Sequence, residues 1–151
     1  MKKILFFDDE PFITEYLIKS LQEIHGWKGD KEISLVSTVD GLLDKMNSDD
    51  ETYCLFVLDL MAPMPEGEVR ESFNQDELNR MDEGRLTGYV MARKIRKIEK
   101  YKKVPILYLS ARTSPPISEM EKEYTKYLRK PFLSEDISQK MNELMETRIN
   151  D

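Results

Sequence analysis

Three continuous apolar runs constrain the fold of this chain most strongly. They cover residues 4–7, 53–58 and 104–109, and a polar residue follows each run. A strand with one face in water alternates apolar and polar residues, whereas a strand of a parallel sheet is covered on both faces and is apolar throughout. The three runs therefore predict central strands of a parallel sheet.

Helical patterns lie between the predicted strands. Pro11 can begin a helix that ends at Gly26. The apolar positions of this first helix recur at helical spacing: Ile13, Tyr16, Leu17, Leu21 and Ile24. Residues 42–46 form the apolar face of a second helix, and residues 88–97 predict another that begins at Gly88. Ser134 can cap a closing helix, whose apolar side comprises Ile137, Met141, Leu144 and Met145.

Two further strands are predicted at residues 32–39 and 127–129. Strands that alternate with helices are typical of a doubly wound α/β fold. We therefore expect a five-stranded parallel sheet with the flavodoxin-like strand order 2-1-3-4-5. A length of 151 residues fits one domain, spanning residues 1–151.

Two segments interrupt this alternation. Residues 66–87 are mostly polar and rich in acidic residues, where a minimal fold needs only a short loop, so they are interpreted as an insertion. The segment after Ser110 contains Pro115 and Pro116, and its few apolar residues are Ile117, Met120 and Tyr124. A short or irregular fourth helix is expected there.

Composition excludes several classes of function. The net charge of −6 argues against binding nucleic acid through a general basic surface. The one basic run, residues 93–103, has Ile95 and Ile98 at helical spacing and is interpreted as a solvated helix face. With 34% charged residues and no long apolar segment at the N-terminus, no membrane association is expected and a cytoplasmic location is predicted.

Polar residues with chemical potential accumulate at the ends of the predicted strands. Asp8 and Asp9 follow the first strand, Asp59 the third, Ser110 the fourth and Lys130 the fifth. In an open parallel sheet, ligands bind beyond the carboxyl ends of the strands, at the point where the strand order reverses. We therefore expect these side chains to converge on one shallow pocket.

Carboxylates this close need a cation, because each close pair repels by roughly 4 kcal/mol at an effective dielectric of about 20. Oxygen ligands favour Mg²⁺, so Asp9 and Asp59 with the Met61 backbone carbonyl are expected to hold the metal. A carboxylate beside Mg²⁺ and the Lys130 ammonium can act as a nucleophile on phosphorus. Ser110 would donate a hydrogen bond to the transferred group.

Four blocks of sequence resemble the signature motifs of response-regulator receiver domains, the phospho-accepting proteins of two-component signalling. They are DDEP at 8–11, LDLMAP at 58–63, LSA at 109–111 and YLRKPF at 127–132. The resemblance implies that Asp59 is the phosphoacceptor and that Asp8 and Asp9 are the acidic pair at the metal. Lys130 is then the phosphate-binding lysine.

The resemblance also implies a switch. In the family, phosphorylation draws the hydroxyl residue, here Ser110, toward the phosphoryl group, and an aromatic residue, here Tyr127, turns inward. The peptide bond between Lys130 and Pro131 resembles one that is cis in the family. A histidine kinase, a phosphotransfer protein or a small phosphodonor would supply phosphate to the switch, and an unknown protein target would receive its output.

The chain departs from the usual receiver pattern after the phosphoacceptor strand. Gly67 stands where the glycine of the following helix is expected, but the helical pattern begins only at Gly88. The sequence therefore resembles a receiver variety with a lengthened loop. This loop could shade Asp59, become ordered on phosphorylation, or bind a partner.

Two other functions remain open. Phosphatases of the haloacid-dehalogenase kind also use a strand-end aspartate, Mg²⁺ and a lysine, but they need Asp-x-Asp where this chain has Asp8-Asp9-Glu10. A pseudo-receiver would act purely as an adaptor, without phosphorylation. We expect a signalling switch that assists its own phosphorylation and dephosphorylation, rather than an enzyme with an external substrate.

Overall fold

A computed structural model describes residues 2–24, 26–27, 29–116 and 124–149. Five parallel strands form one sheet in the order β2-β1-β3-β4-β5, which confirms the predicted fold class and strand order. The strands are β1 (Lys2–Phe7), β2 (Lys31–Val36), β3 (Leu55–Asp59), β4 (Ile106–Ser110) and β5 (Thr125–Arg129).

Helices connect the strands. They are α1 (Pro11–Ile24), α2 (Val39–Met46), α3 (Gln75–Asp82), α4 (Thr87–Lys97) and α5 (Ser134–Ile149), with 3₁₀ helices at Gly67–Ser72 and Glu99–Tyr101. The helix predicted between β4 and β5 falls partly on residues 117–123, including Ile117 and Met120, which lie outside the described residues. None of the described helices is both long and apolar enough to cross a membrane.

The central strands are apolar because each of them packs on both faces. Along β1, Leu5 and Phe7 belong to one cluster of buried side chains, and Ile4 and Phe6 belong to the other. Side chains of β3 and β4 alternate between the two clusters in the same way. The first cluster contains side chains of α2 and α4, and the second contains side chains of α1 and α5.

Two details of the predicted elements are wrong. The second strand ends at Val36 and not at residue 39, because Thr38 accepts a hydrogen bond from the backbone N–H of Gly41 and caps α2. Tyr16 is 79% exposed, although the spacing placed it on the apolar face of the first helix. The side chains of Ile13 and Ile24 lie outside the described residues.

The inserted segment is folded. It contains a 3₁₀ helix and α3, and α3 begins with a capping box in which Asn74 and Glu77 satisfy each other's backbone N–H groups. Phe73, Met81 and Leu86 are buried in the cluster that contains α2 and α4. The segment is therefore part of the core on that face of the sheet.

Candidate functional site

Three carboxylates meet at the carboxyl end of the sheet. Asp8 and Asp59 are buried and Asp9 is exposed, and one oxygen from each lies within 4.8 Å of the others. They converge because β1 and β3 are neighbouring parallel strands whose ends reach the same edge. The structure thus brings together the three aspartates that the sequence singled out.

The Asp8 side chain is fixed by two donors. Its Oδ1 accepts a hydrogen bond from the backbone N–H of Glu10 at 2.9 Å, and its Oδ2 accepts one from Lys130 Nζ at 3.0 Å. Asp8 itself joins the sheet through its backbone N–H, which donates to the carbonyl of Val36. The carboxylate is therefore oriented by the turn that follows β1 and by the lysine that follows β5.

Asp59 is 6% exposed at the end of β3. Burial raises the pKa of its carboxyl to about 7, and the hydrogen bond with Asp9 and the charge of Asp8 act in the same direction. Lys130, whose Nζ lies 4.0 Å from Oδ2, and the Met61 N–H, which donates to Oδ1 at 3.2 Å, oppose this shift in the pKa. Without a cation, the site is thus short of positive charge.

Lys130 brings the only positive side chain that forms an ion pair with Asp8 or Asp59 in the described part of the chain. Burial lowers the pKa of its ammonium, but Asp59 and Asp8 outweigh this effect and raise that pKa overall. Its backbone N–H donates to the Ser110 carbonyl at 2.7 Å, and its bond to Pro131 is cis, as the resemblance implies.

Ser110 and Tyr127 both contact the residue that follows the β4 turn, Arg112. The Ser110 hydroxyl, on a residue that is 1% exposed, accepts a hydrogen bond from the Arg112 N–H at 3.2 Å. The Tyr127 ring is buried, and its hydroxyl donates to the Arg112 carbonyl at 2.8 Å. The two predicted switch residues are thus joined through one backbone unit.

The donor set fits a hard divalent cation. It consists of three carboxylates, two of them buried. The ammonium that pairs with them, that of Lys130, cannot balance the charge of all three. Carboxylate oxygens in this number and spacing suit Mg²⁺, which is bound through a few carboxylates and otherwise retains water. Met61 is half-buried beside Asp59, and the role of its carbonyl as a ligand stays a prediction.

A groove of about 560 Å³ begins at Asp8 and Lys130 and runs beside α1 to the segment before α5. Its lining is largely apolar, and two of its residues are exposed large hydrophobic side chains, Tyr16 and Leu133. The acidic cluster therefore adjoins a surface with the character of a protein contact.

Sequence reasoning missed Arg112 at the site, and it identified Gly88 only as the start of a helix. A Cβ atom at Gly88 would lie 2.5 Å from the Asp59 carbonyl oxygen, so α4 can approach β3 this closely only with glycine there. Arg112 carries no motif, although it lies two residues after Ser110. The polar turn after Ser110 was the one feature of the sequence that could have indicated Arg112.

Comparisons with known proteins support the same architecture. Neither a family model nor a curated protein matches the sequence. Solved structures do match: the chemotaxis response regulator CheY4 of Vibrio cholerae is 20% identical with a TM-score of 0.67, and the match covers 95% of this chain and 98% of that one. A CheY-like receiver domain protein from Methanospirillum hungatei is 19% identical with a TM-score of 0.68, covering 100% and 99%.

The DrrB receiver domain in a BeF3-activated state is also similar, at 20% identity and a TM-score of 0.62, with 97% of this chain and 98% of that chain covered. At such identities the likeness concerns the fold. It extends over nearly the whole chain in each comparison. This chain therefore has the fold of the response-regulator receiver domains.

Proposed function

We propose that this protein is a receiver switch that accepts a phosphoryl group on Asp59. The observation that carries the proposal is the convergence of Asp8, Asp9 and Asp59 with the Lys130 ammonium at one edge of the sheet. Burying acidic groups together destabilises a fold unless a ligand uses them. A site that accepts both a cation and a phosphoryl group accounts for this arrangement.

Each residue has a distinct role in the proposed reaction. An oxygen of Asp59 attacks phosphorus, so that a new P–O bond forms while the donor's bond to phosphorus breaks and its electron pair leaves with the donor. Lys130 places positive charge beside the transferred oxygens, and the Ser110 hydroxyl donates a hydrogen bond to one of them. Tyr127 responds to the movement of Ser110.

Asp8, Asp9 and Asp59, with the Met61 carbonyl, would hold Mg²⁺. Bound there, Mg²⁺ supplies positive charge that offsets the phosphoryl oxygens and keeps Asp59 ionised. The pKa of Asp59 near 7 in its absence supports this need, because a protonated carboxyl is a poor nucleophile.

The phosphodonor is a histidine kinase, a phosphotransfer protein or a small acyl phosphate. The groove beside Asp8 supports a protein donor, because the exposed Tyr16 and Leu133 offer apolar surface within reach of the site. Output passes to a protein target through a surface that changes with Ser110 and Tyr127. A cytoplasmic location follows from such donors.

Mass spectrometry after treatment with acetyl phosphate and Mg²⁺ tests the proposal. The wild-type chain should gain the mass of one phosphoryl group, and Asp59→Asn should gain none. Asp82→Asn is the matched control, since Asp82 is an exposed aspartate on α3, and it should be phosphorylated like the wild type. A wild-type chain that gains no mass contradicts the proposal.

The same preparation separates the two alternatives. Steady hydrolysis of a generic phosphate ester, abolished in Asp8→Asn, would identify a phosphatase. A chain that neither binds Mg²⁺ in a calorimetric titration nor gains mass would be a non-phosphorylated adaptor.

A further inference from the structure

We propose that Arg112 couples the inserted segment to Ser110 and Tyr127, so that phosphorylation of Asp59 docks the end of α3 against the site. The inference rests on the proposed function and assigns a role to the insertion. It is based on three hydrogen bonds of Arg112 and on the contacts of residues 84–88, where the insertion ends.

Arg112 joins the switch residues to the insertion. Its backbone contacts both switch hydroxyls, as an N–H donor to Ser110 and as a carbonyl acceptor from Tyr127. Its guanidinium reaches in the other direction and donates from Nη2 to the Gly84 carbonyl at 3.0 Å. A displacement of the Ser110 turn therefore displaces a charged group that is bound to the insertion.

The Gly84 carbonyl is a good acceptor for this cation. It lies two residues beyond Asp82, the last residue of α3, close to the negative end of the helix dipole. The chain turns sharply there, because the N–H of Leu86 donates back to the Arg80 carbonyl and Arg85 has a φ of 51°. A Cβ atom at position 84 would lie 2.8 Å from the same Arg80 carbonyl, so glycine is required for the turn.

The other end of this turn is fixed to the phosphoacceptor strand. The N–H of Gly88 donates to the Leu60 carbonyl at 3.0 Å, and the Gly88 backbone lies against Asp59. Residues 84–88 thus contact the loop after β3 at one end and the loop after β4 at the other. Asp59 and Ser110, the proposed phosphoacceptor and switch hydroxyl, are the last residues of the strands that precede those two loops.

The buried position of Tyr127 sets the direction of the coupling. Tyr127 is inward and bonded to the Arg112 carbonyl in the same arrangement in which the guanidinium holds Gly84. An inward aromatic residue is the arrangement that the resemblance assigns to the phosphorylated form. Phosphorylation should therefore favour the Arg112–Gly84 bond and tighten the turn.

Hydrogen–deuterium exchange with beryllofluoride and Mg²⁺ tests this coupling. We expect saturating beryllofluoride to slow exchange at the amides of residues 83–86 in the wild type by at least about fivefold, the lower end of typical coupling between sites. Occupancy of Asp59 is measured in every variant by ¹⁹F NMR. Arg112→Ala should abolish the slowing at equal occupancy, and Arg112→Lys, which keeps one donor, should restore part of it.

Arg93→Ala is the matched control, because this exposed arginine on α4 lies over the Tyr89 ring. It should retain the full slowing, and circular dichroism should show that both alanine variants are folded. Slowing that persists in Arg112→Ala, or bound beryllofluoride without any slowing in the wild type, overturns the coupling and leaves the proposed function intact. A wild-type protein that binds no beryllofluoride overturns both.

Discussion

Asp8, Asp9 and Asp59 bring three carboxylates together with one lysine, whereas the inserted segment, which is richer in acidic residues, keeps most of its carboxylates in water. Its exposed acidic residues are Glu66, Glu68, Glu71, Asp76, Asp82 and Glu83. The aspartate cluster buries two of its three carboxylates, those of Asp8 and Asp59. The insertion exposes charge and is attached by a few apolar side chains.

This difference contrasts carboxylates that are buried beside one another with a segment that is attached by apolar side chains. Removing a charge from the aspartate cluster should stabilise the metal-free protein, because the buried carboxylates repel one another. Removing a buried apolar side chain from the insertion should destabilise the protein, because that side chain packs in the core. Four substitutions test this contrast.

The largest loss is expected for Phe73→Ala. Phe73 is a buried residue of the insertion, and Lys94 Nζ lies 4.5 Å from its ring centre. Truncation should lower the free energy of unfolding by about 3 kcal/mol in urea titrations, as for other buried aromatic residues. Glu71→Ala, a truncation at an exposed position two residues away, should change it little. A negligible effect of Phe73→Ala would mean that the insertion is not attached through the core.

Gly88→Ala tests the contact between the residue that follows the insertion and the end of β3. The added Cβ would lie 2.5 Å from the Asp59 carbonyl oxygen and 2.9 Å from the Leu60 Cα, both of them backbone atoms. The free energy of unfolding should fall by about 2 kcal/mol, although alanine is the better helix former. Gly41→Ala in α2, where the nearest atom is a side-chain oxygen at 3.3 Å, should cost much less.

Asp59→Asn should have the opposite sign in metal-free protein. The pKa of Asp59 in the folded protein, about 7, lies above its usual 3.8, so ionisation of this carboxyl destabilises the fold as pH rises between those values. The asparagine variant should therefore be more stable than the wild type above pH 7, with the gain vanishing near pH 4.

Thermal unfolding in EDTA at several pH values measures this gain. Added Mg²⁺ should stabilise the wild type and should have a smaller effect on Asp59→Asn. A variant that is less stable than the wild type at high pH would show that Asp59 is not under electrostatic strain.

The smallest effect is expected for Lys94→Met. Lys94 Nζ lies 3.4 Å from Glu77 Oε2 and above the Phe73 ring, so it links α4 to the insertion by charge. The pair is partly exposed, and its loss should cost about 0.5 kcal/mol, with less effect in high salt. Lys97→Met, on the exposed side of the same helix, provides the reference for urea unfolding.

Much of the fold could be predicted from sequence because its signals are long and redundant. The apolar runs of β1, β3 and β4 exist because both faces of these strands are covered, so the runs predicted the sheet directly. Boundaries failed where a single side chain decides them, as at Thr38, whose hydroxyl caps α2 and ends the extended segment before residue 39.

The sequence predicted the insertion as a polar segment, but it did not predict that the insertion packs against the core. Phe73, Met81 and Leu86 are buried, yet they are too few and too widely spaced to give a helical repeat. The basic run was interpreted as a solvated helix face, which is wrong for Arg96 and Lys100. Their long side chains reach backbone carbonyls of neighbouring loops, and periodicity does not report such contacts.

The candidate site was predictable in part for a topological reason. Parallel strands deliver their carboxyl ends to one edge, so residue type and position predicted that Asp8, Asp9, Asp59 and Lys130 would meet. Arg112 acts through its backbone groups and through a guanidinium that reaches the carbonyl of Gly84. A bond to a backbone carbonyl leaves no mark in residue types, and only the folded chain reveals it.

The hydrogen bond from Gly88 to Leu60 gives the insertion a useful property for protein engineering. The chain departs from the end of β3 after Leu60 and returns beside it at Gly88, so residues 61–87 form a loop whose two ends are held together. The entropic penalty of such a loop grows only slowly with length, by roughly 0.6 kcal/mol for each doubling. A fluorescent reporter or a binding peptide is therefore best inserted within the 3₁₀ helix at Gly67–Ser72, which has no buried residues, so that the buried Phe73, Met81 and Leu86 stay in place.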